Sequence, residues 1–135
     1  MNDAELREIL ETAKVIAIVG CSPKTERPSH GVARYLQSEG YRIIPVNPGH
    51  KEILAEQCYP TLADAARDHT IDIVDVFRRS AFAGAVVDQA LAIKPKLIIL
   101  QLGVTDAGAA QRAAAAGVPF LMDHCLAIEH RRLGV

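Results

Sequence analysis

What this sequence lacks first is an excess of charge of either sign: 15 lysines and arginines meet 16 aspartates and glutamates, for a net charge of -1. A chain so balanced offers no electrostatic footprint for duplex nucleic acid. Cysteine is sparse as well. The three cysteines, at 21, 58 and 125, are odd in number and fall into no Cys-x-x-Cys or Cys/His ligand spacing, which speaks against a disulfide framework and against a zinc site. A reducing compartment is the expectation, the cytoplasm above all. No apolar run reaches the roughly 18 to 20 residues that a membrane span needs. The opening segment, MNDAELREILETAK, is acidic and amphipathic, not basic and then apolar, so it reads neither as a signal peptide nor as a transit peptide. Low-complexity tracts, linkers and internal repeats are absent too. What remains is a chain of 135 residues, 50% hydrophobic and 23% charged, enough to form one domain, 1–135, around one core.

The hydrophobic pattern alternates short apolar runs with helical segments. Leu6, Ile9, Leu10 and Ala13 make a helical stripe over residues 3–12, and VIAIV (15–19) follows as a buried strand. Ser29 is placed to cap a helix that closes at Gly40, ahead of the strand YRIIPV (41–46). Thr61 and Asp64 have the spacing of a capping box in front of a short helix, and IDIVDVF (71–77) is a third strand with Asp72 at its start. Ser80 opens a helix with Phe82, Val86, Ala90 and Ile93 on one side, before KLIIL (96–100). Thr105 caps an alanine-rich helix closed by Gly117, VPFLM (118–122) is the fifth strand, and residues 126–133 make a last helical turn or two. Strands apolar on both faces and separated by helices predict an α/β, Rossmann-like, doubly wound parallel sheet of five strands with helices on both faces. The expected strand order is 3-2-1-4-5.

In such a sheet the ligand crevice lies beyond the carboxyl ends of the strands. The segment after the first strand is GCSPKTERPSH. Gly20 ends the strand without a Cβ, the following helix turns free amides and its positive dipole end toward the loop, and Ser22, Lys24 and Arg27 add a hydroxyl and two cations. That combination suits a phosphate or diphosphate. It is no dinucleotide fingerprint, because G-x-G-x-x-G gives way to Cys21, Ser22 and a longer insertion. The end of the second strand, PVNPGHK, has no acidic residue to hold a free ribose diol. Pro45 and Pro48 offer an apolar edge for a purine, and His50 or Lys51 can meet a phosphate on the ribose; taken alone, the same residues read equally well as a plain Pro-Gly turn.

The stretches GCSPKTERPSHGVARYL, YRIIPVNP, DIVDVFRR, LQLGV and MDHCLAIEHRRL, in this order and over almost the whole chain, resemble the small stand-alone CoA-binding proteins of the YccU type. These are similar in turn to the CoA-binding domain of the succinyl-CoA synthetase α-subunit. The resemblance implies a Rossmann-like fold that binds coenzyme A or a short acyl-CoA. It further implies that Gly20, Ser22, Lys24 and Arg27 meet the diphosphate, and that Pro45, Val46 and Asn47 flank the adenosine with Lys51 near the 3′-phosphate. Phe77, Arg78, Gln101 and Gly103 would line the rest of the crevice. Ile99, His30 and His124 depart from the tryptophan, tyrosine and arginine common in relatives.

The synthetase subunit has a second domain bearing a phosphorylated histidine, and this chain ends before such a domain begins; the expectation is a module that binds without ligating. No catalytic and no metal-binding residue is assigned. His69 and His130 read as solvated. Cys125 beside His124 reads as structural, whereas Cys21, inside the loop and near Lys24, is a candidate for a stabilised thiolate and a mixed disulfide with CoA. Two rivals stand beside the CoA-binding reading: an NADP-dependent oxidoreductase, and a docking subunit of an acyl-CoA ligase-like partner.

Overall fold

The computed structural model describes residues 1–135. Helix α1 (Asp3–Thr12) is capped by Asn2, whose side chain accepts the Glu5 N–H at 2.9 Å, and it buries Leu6 and Leu10 one turn apart. Strand β1 (Val15–Val19) follows. Its start is held from further along the chain, because Asp72 Oδ2 accepts the N–H groups of Lys14 at 2.8 Å and Val15 at 3.0 Å. Helix α2 (Pro28–Ser38) starts with proline, which lacks the N–H that a first helical residue leaves unpaired anyway. Ser29, expected to cap it, lies one residue inside; Arg27 holds the cap position. The helix closes in a Schellman pair, Tyr41 N–H to Leu36 O and Gly40 N–H to Gln37 O, both 3.2 Å, with Gly40 at φ +97°.

Strand β2 (Arg42–Val46) then leads into a hairpin that the hydrophobic pattern did not announce, β3 (Glu52–Ile53) and β4 (Glu56–Gln57). Its turn residues, Leu54 and Ala55, both have positive φ. Such a turn normally advertises itself with Asn-Gly or Asp-Gly, and here it does not. Helix α3 (Leu62–Asp68) is capped by Thr61, which accepts the Asp64 N–H at 3.1 Å. Next come β5 (Ile73–Val76), α4 (Ser80–Ile93), β6 (Leu97–Leu100), α5 (Ala107–Ala116), β7 (Phe120–Leu121) and α6 (Leu126–Leu133). Two local expectations give way. Asp106, not Thr105, caps α5, accepting the Ala109 N–H at 2.9 Å, while the Thr105 N–H donates to Ser80 Oγ at 3.0 Å. Helix α4 buries Ala83, Val86, Val87 and Ala90 and leaves Phe82 56% exposed.

The five strands of the main sheet are all parallel and run in the order β2-β1-β5-β6-β7. In the numbering of the five expected strands this is 2-1-3-4-5, so the expected order 3-2-1-4-5 is corrected. The reason lies at the outer edge of β2. There the Tyr59 N–H donates to Pro45 O at 3.0 Å and the Asn47 N–H to Tyr59 O at 2.9 Å, and Arg42 pairs with Glu56 at 3.2 Å. The chain after β2 thus occupies that edge itself, and α3 carries it back across β1, where β5 finds the free side. Helices α1, α2 and α6 cover one face of the sheet, α3, α4 and α5 the other. Moving one way with a helix in front and the other way with helices behind keeps every crossover of one hand. Ile16, Ile18, Ile43, Ile73, Leu97 and Ile99 are wholly buried on the first face, each contributing about 1.5–3 kcal/mol relative to exposure. No helix is long and apolar enough to cross a membrane.

Candidate functional site

The order β2-β1-β5 places the change of crossover direction between β1 and β5, and a cleft of about 680 Å³ opens at their carboxyl ends. The chain there approaches itself closely. Phe77 N–H donates to Val19 O at 2.8 Å, and Gly20 sits at φ +87° with Phe77 O only 2.2 Å from where a Cβ would be. Only glycine fits, and the bend it permits sends residues 21–27 over the top of the sheet.

That loop is tied down by its own polar groups. Ser29 Oγ accepts the Ser22 N–H at 2.9 Å, Ser22 Oγ accepts the Lys24 N–H at 3.1 Å, and Asn47 Nδ2 donates to Cys21 O at 2.7 Å. Ser29 is buried to 5% exposure by this bond, which explains why it does not cap α2. The N–H of Ser29, in the first turn of α2 and lining the cleft, finds no acceptor within the chain.

Gly20, Ser22, Lys24, Arg27, Asn47, Phe77, Arg78, Gln101 and Gly103 all line the cleft. Three residues singled out from the sequence do not. Pro45 and Val46 are buried in β2 beneath Asn47, and Lys51 is exposed outside the cleft, next to His50, which does line it. Pro48, the other proline proposed as a purine edge, is exposed and outside it as well. The structure adds residues the sequence reading passed over, chiefly Ser29, Arg79, Ser80 and Leu102. Arg79 was legible as the second arginine of FRRS; Leu102 carried no signal, since an apolar residue after a strand is ordinarily core.

The electrostatics are one-sided. Lys24, Arg27, His50, Arg78 and Arg79 line the cleft and no aspartate or glutamate does. None of these side chains takes part in the ion pairs of the fold, which join Arg42 to Glu56, Arg67 to Asp64, Arg112 to Asp88, and Arg132 to Asp3 and Glu129. Of the carboxylates close in sequence to the cleft, Asp106 caps α5 and Asp123 Oδ1 accepts the Gly103 N–H at 2.7 Å, while Glu26, between Lys24 and Arg27, is exposed and outside the lining. Gln101 Oε1 is buried without a hydrogen-bond partner.

Cys21 is not the reactive thiol that its place in the loop suggested. It is wholly buried, and burial, reinforced by Cys58 and Asp75, pushes its thiol up to about 12. Desolvation is the largest cause, and no neighbouring cation offsets it. Cys125 is buried as expected, and His124 points its Nδ1 at Met122 O, 2.8 Å away. His130 is not solvated: it is 4% exposed, its Nδ1 is 2.9 Å from the Tyr35 hydroxyl, and Tyr41 meets it edge-on. His69 packs against Tyr59, whose hydroxyl donates to Asp68 at 2.7 Å.

Residues 14–131 match the family described as CoA binding domain. The chain belongs to that family. It is 38% identical over 129 residues to the uncharacterized protein YneT of Bacillus subtilis, an alignment that covers 96% of this chain and 94% of YneT. A solved structure from Thermus thermophilus superposes with a TM-score of 0.92 at 39% identity, covering 98% of this chain and 99% of that one. A shorter alignment, 31% identical over 65 residues, joins 47% of this chain to 10% of an ADP-forming acetate–CoA ligase of Archaeoglobus fulgidus. The CoA-binding family and the parallel Rossmann-like sheet therefore agree with the architecture described above.

Proposed function

We propose that this protein binds coenzyme A or a short acyl-CoA in the cleft above β1, β5 and β6, as a binding module. The observation that carries the reading is the cleft's charge: five basic side chains, none paired, on a chain whose net charge is -1. A polyanion is the ligand such a surface fits, and the family supports CoA as that polyanion. The diphosphate rests on Gly20, Ser22, Lys24 and Arg27 at the start of α2. The adenosine lies toward the end of β2, by Asn47 with Pro45 and Val46 beneath it, and the 3′-phosphate meets His50 and Lys51. The pantetheine arm then crosses Phe77, Gln101 and Gly103, where Gln101 Oε1 supplies an acceptor for one of its amide N–H groups.

The test is thermal stabilisation by CoA, dephospho-CoA, NAD and NADP at equal concentration. A ligand at a hundred times its Kd stabilises by about 2.7 kcal/mol. CoA is expected to raise the midpoint most and dephospho-CoA less, and His50→Ala or Lys51→Ala narrows that difference. NADP in first place would instead favour an oxidoreductase, and no stabilisation by any of them rejects the reading. The partial likeness to an acetate–CoA ligase supports a second reading, a subunit that presents CoA to a separate ligase; copurification of such a chain tests it.

A further inference from the structure

The buried side-chain oxygens that find no hydrogen-bond partner in this protein are three: Asp75 Oδ1, Asp75 Oδ2 and Gln101 Oε1. They belong to one place. Strands β5 and β6 pair Asp75 with Ile99 and Val76 with Leu100, and the Gln101 N–H donates to Val76 O at 3.2 Å, so the ladder runs on through Gln101. Side chains two residues apart on a strand share a face. Asp75 and Gln101 therefore stand on the same face of neighbouring strands, the one covered by α1, α2 and α6, with Cα atoms about 8 Å apart from the spacing between strands and the rise along them. Two such side chains can close that gap. Gln101 lines the cleft with Phe77 beside it, while Asp75 lies one step beneath, wholly buried.

The donors on hand limit what this pair can do. Ionised, Asp75 would set two more acceptors beside the one on Gln101 and bury a charge that no cation offsets; un-ionised, it owns one O–H. That O–H is the donor the Gln101 oxygen lacks. A carbonyl oxygen has two lone pairs, so Gln101 Oε1 can accept from Asp75 below and from a ligand N–H above. An amide fixed from below gives up less freedom when the ligand arrives. A valine in the middle of β5 would avoid the cost of a buried polar group, so the carboxyl is accounted for by what it holds.

We propose that Asp75 is a positioning residue of this site: its O–H donates to Gln101 Oε1 and holds that amide where it accepts an N–H of the pantetheine arm. The proposal rests on the CoA reading above and adds to it a residue that itself touches no ligand.

The experiment titrates the intact protein with CoA and with adenosine 3′-phosphate 5′-diphosphate, which is CoA without its pantetheine arm, so that the ratio of the two Kd values isolates the arm. In Asp75→Val, which has no donor, CoA is expected to weaken roughly tenfold, as the loss of one hydrogen bond of about 1.4 kcal/mol implies, while the shorter ligand keeps its affinity. In Asp75→Asn the Nδ2–H takes the place of the O–H, and the ratio returns toward that of the unaltered protein. Gln101→Met lowers the ratio as Asp75→Val does, and the two changes together lower it no further. An unchanged ratio in Asp75→Val, an equal loss of both ligands, or no rescue by Asp75→Asn overturns the proposal while leaving CoA binding intact. Failure of CoA to bind the unaltered protein overturns both. Should Asp75→Val not fold, infrared difference spectra of the unaltered protein carry the test. The C=O band of an un-ionised carboxyl, identified by its absence from Asp75→Asn, is displaced by CoA and not by the shorter ligand; displacement by neither, or by both equally, overturns the proposal.

Discussion

Asp75 lies between Ile18 of β1 and Ile99 of β6, in the middle of the sheet, with both carboxyl oxygens buried and without partners. Burial raises its pKa well above the ordinary value of 3.8, so the group stays protonated in the folded chain where the unfolded chain has lost its proton. The folded state then binds more protons than the unfolded one, and stability falls as pH rises from about 4, by about 1.4 kcal/mol per unit, until Asp75 itself ionises. Urea unfolding from pH 4 to 8 should show this decline, and Asp75→Asn should flatten it; an equally steep decline in the variant would reject the assignment. Gly20 is constrained as sharply by shape. Gly20→Ala brings a Cβ against Phe77 O at a positive φ, and a loss of at least ~2 kcal/mol is expected in the same measurement. Cys21 makes a chemical prediction. Buried, with its thiol near 12, it should resist iodoacetamide at pH 8 in the native protein and react only after denaturation, as read by peptide mass.

At the scale of elements, the loop from Cys21 to Arg27 and the start of α2 act as one unit through the Ser22 to Ser29 bond. Ser29→Ala removes the acceptor and leaves the part-buried Ser22 N–H without its partner, which costs about 1 kcal/mol. It should also weaken CoA binding more than Ser29→Thr does, because the threonine keeps the hydroxyl. Kd by titration, set beside the melting midpoint, separates the two effects. The elements themselves were mostly legible. β1, α1 and α6 appear over the residues that the hydrophobic period indicated, and Thr61 caps α3 as its spacing implied. The closing glycines Gly40 and Gly117 were legible too, but the N-caps of the longer helices were not. Ser29 and Thr105 had the right chemistry for capping, but Ser29 is claimed by a loop amide, and Thr105 lies one residue too early. A cap is decided by which donor reaches the hydroxyl, and that donor can lie far along the chain. The β3–β4 hairpin escaped notice because Leu54 and Ala55 take the left-handed turn that asparagine and glycine normally signal.

For the molecule as a whole, the charge map has the clearest consequence. A cleft with unpaired cations on a chain of net charge -1 must lose affinity for a polyanion as ionic strength rises, since the Debye length shrinks from about 10 Å at 0.1 M salt to about 3 Å at 1 M. The CoA Kd measured from low to high salt should rise steeply, and Lys24→Ala should make the rise shallower. The sheet predicts its own stability map as well. β1, β5 and β6 are interior and almost wholly buried, whereas β7 has two half-buried residues at the edge, so amide exchange should be slowest in the former and fastest in the latter.

The sequence alone determined the class of fold and which residues of the loop after β1 reach the cleft, because both are local: strands apolar on both faces demand cover on both faces, and Gly20, Ser22, Lys24 and Arg27 lie within eight residues of one another. Tertiary structure decided what depends on distant partners. The strand order turned on Tyr59 filling the edge of β2, the silence of Cys21 on its burial beside Cys58 and Asp75, and the second cationic pair on the order that brings Arg78 and Arg79, after β5, to the same cleft as Lys24 and Arg27. A chain's period says which residues seek the interior; it does not say which neighbours will be waiting there.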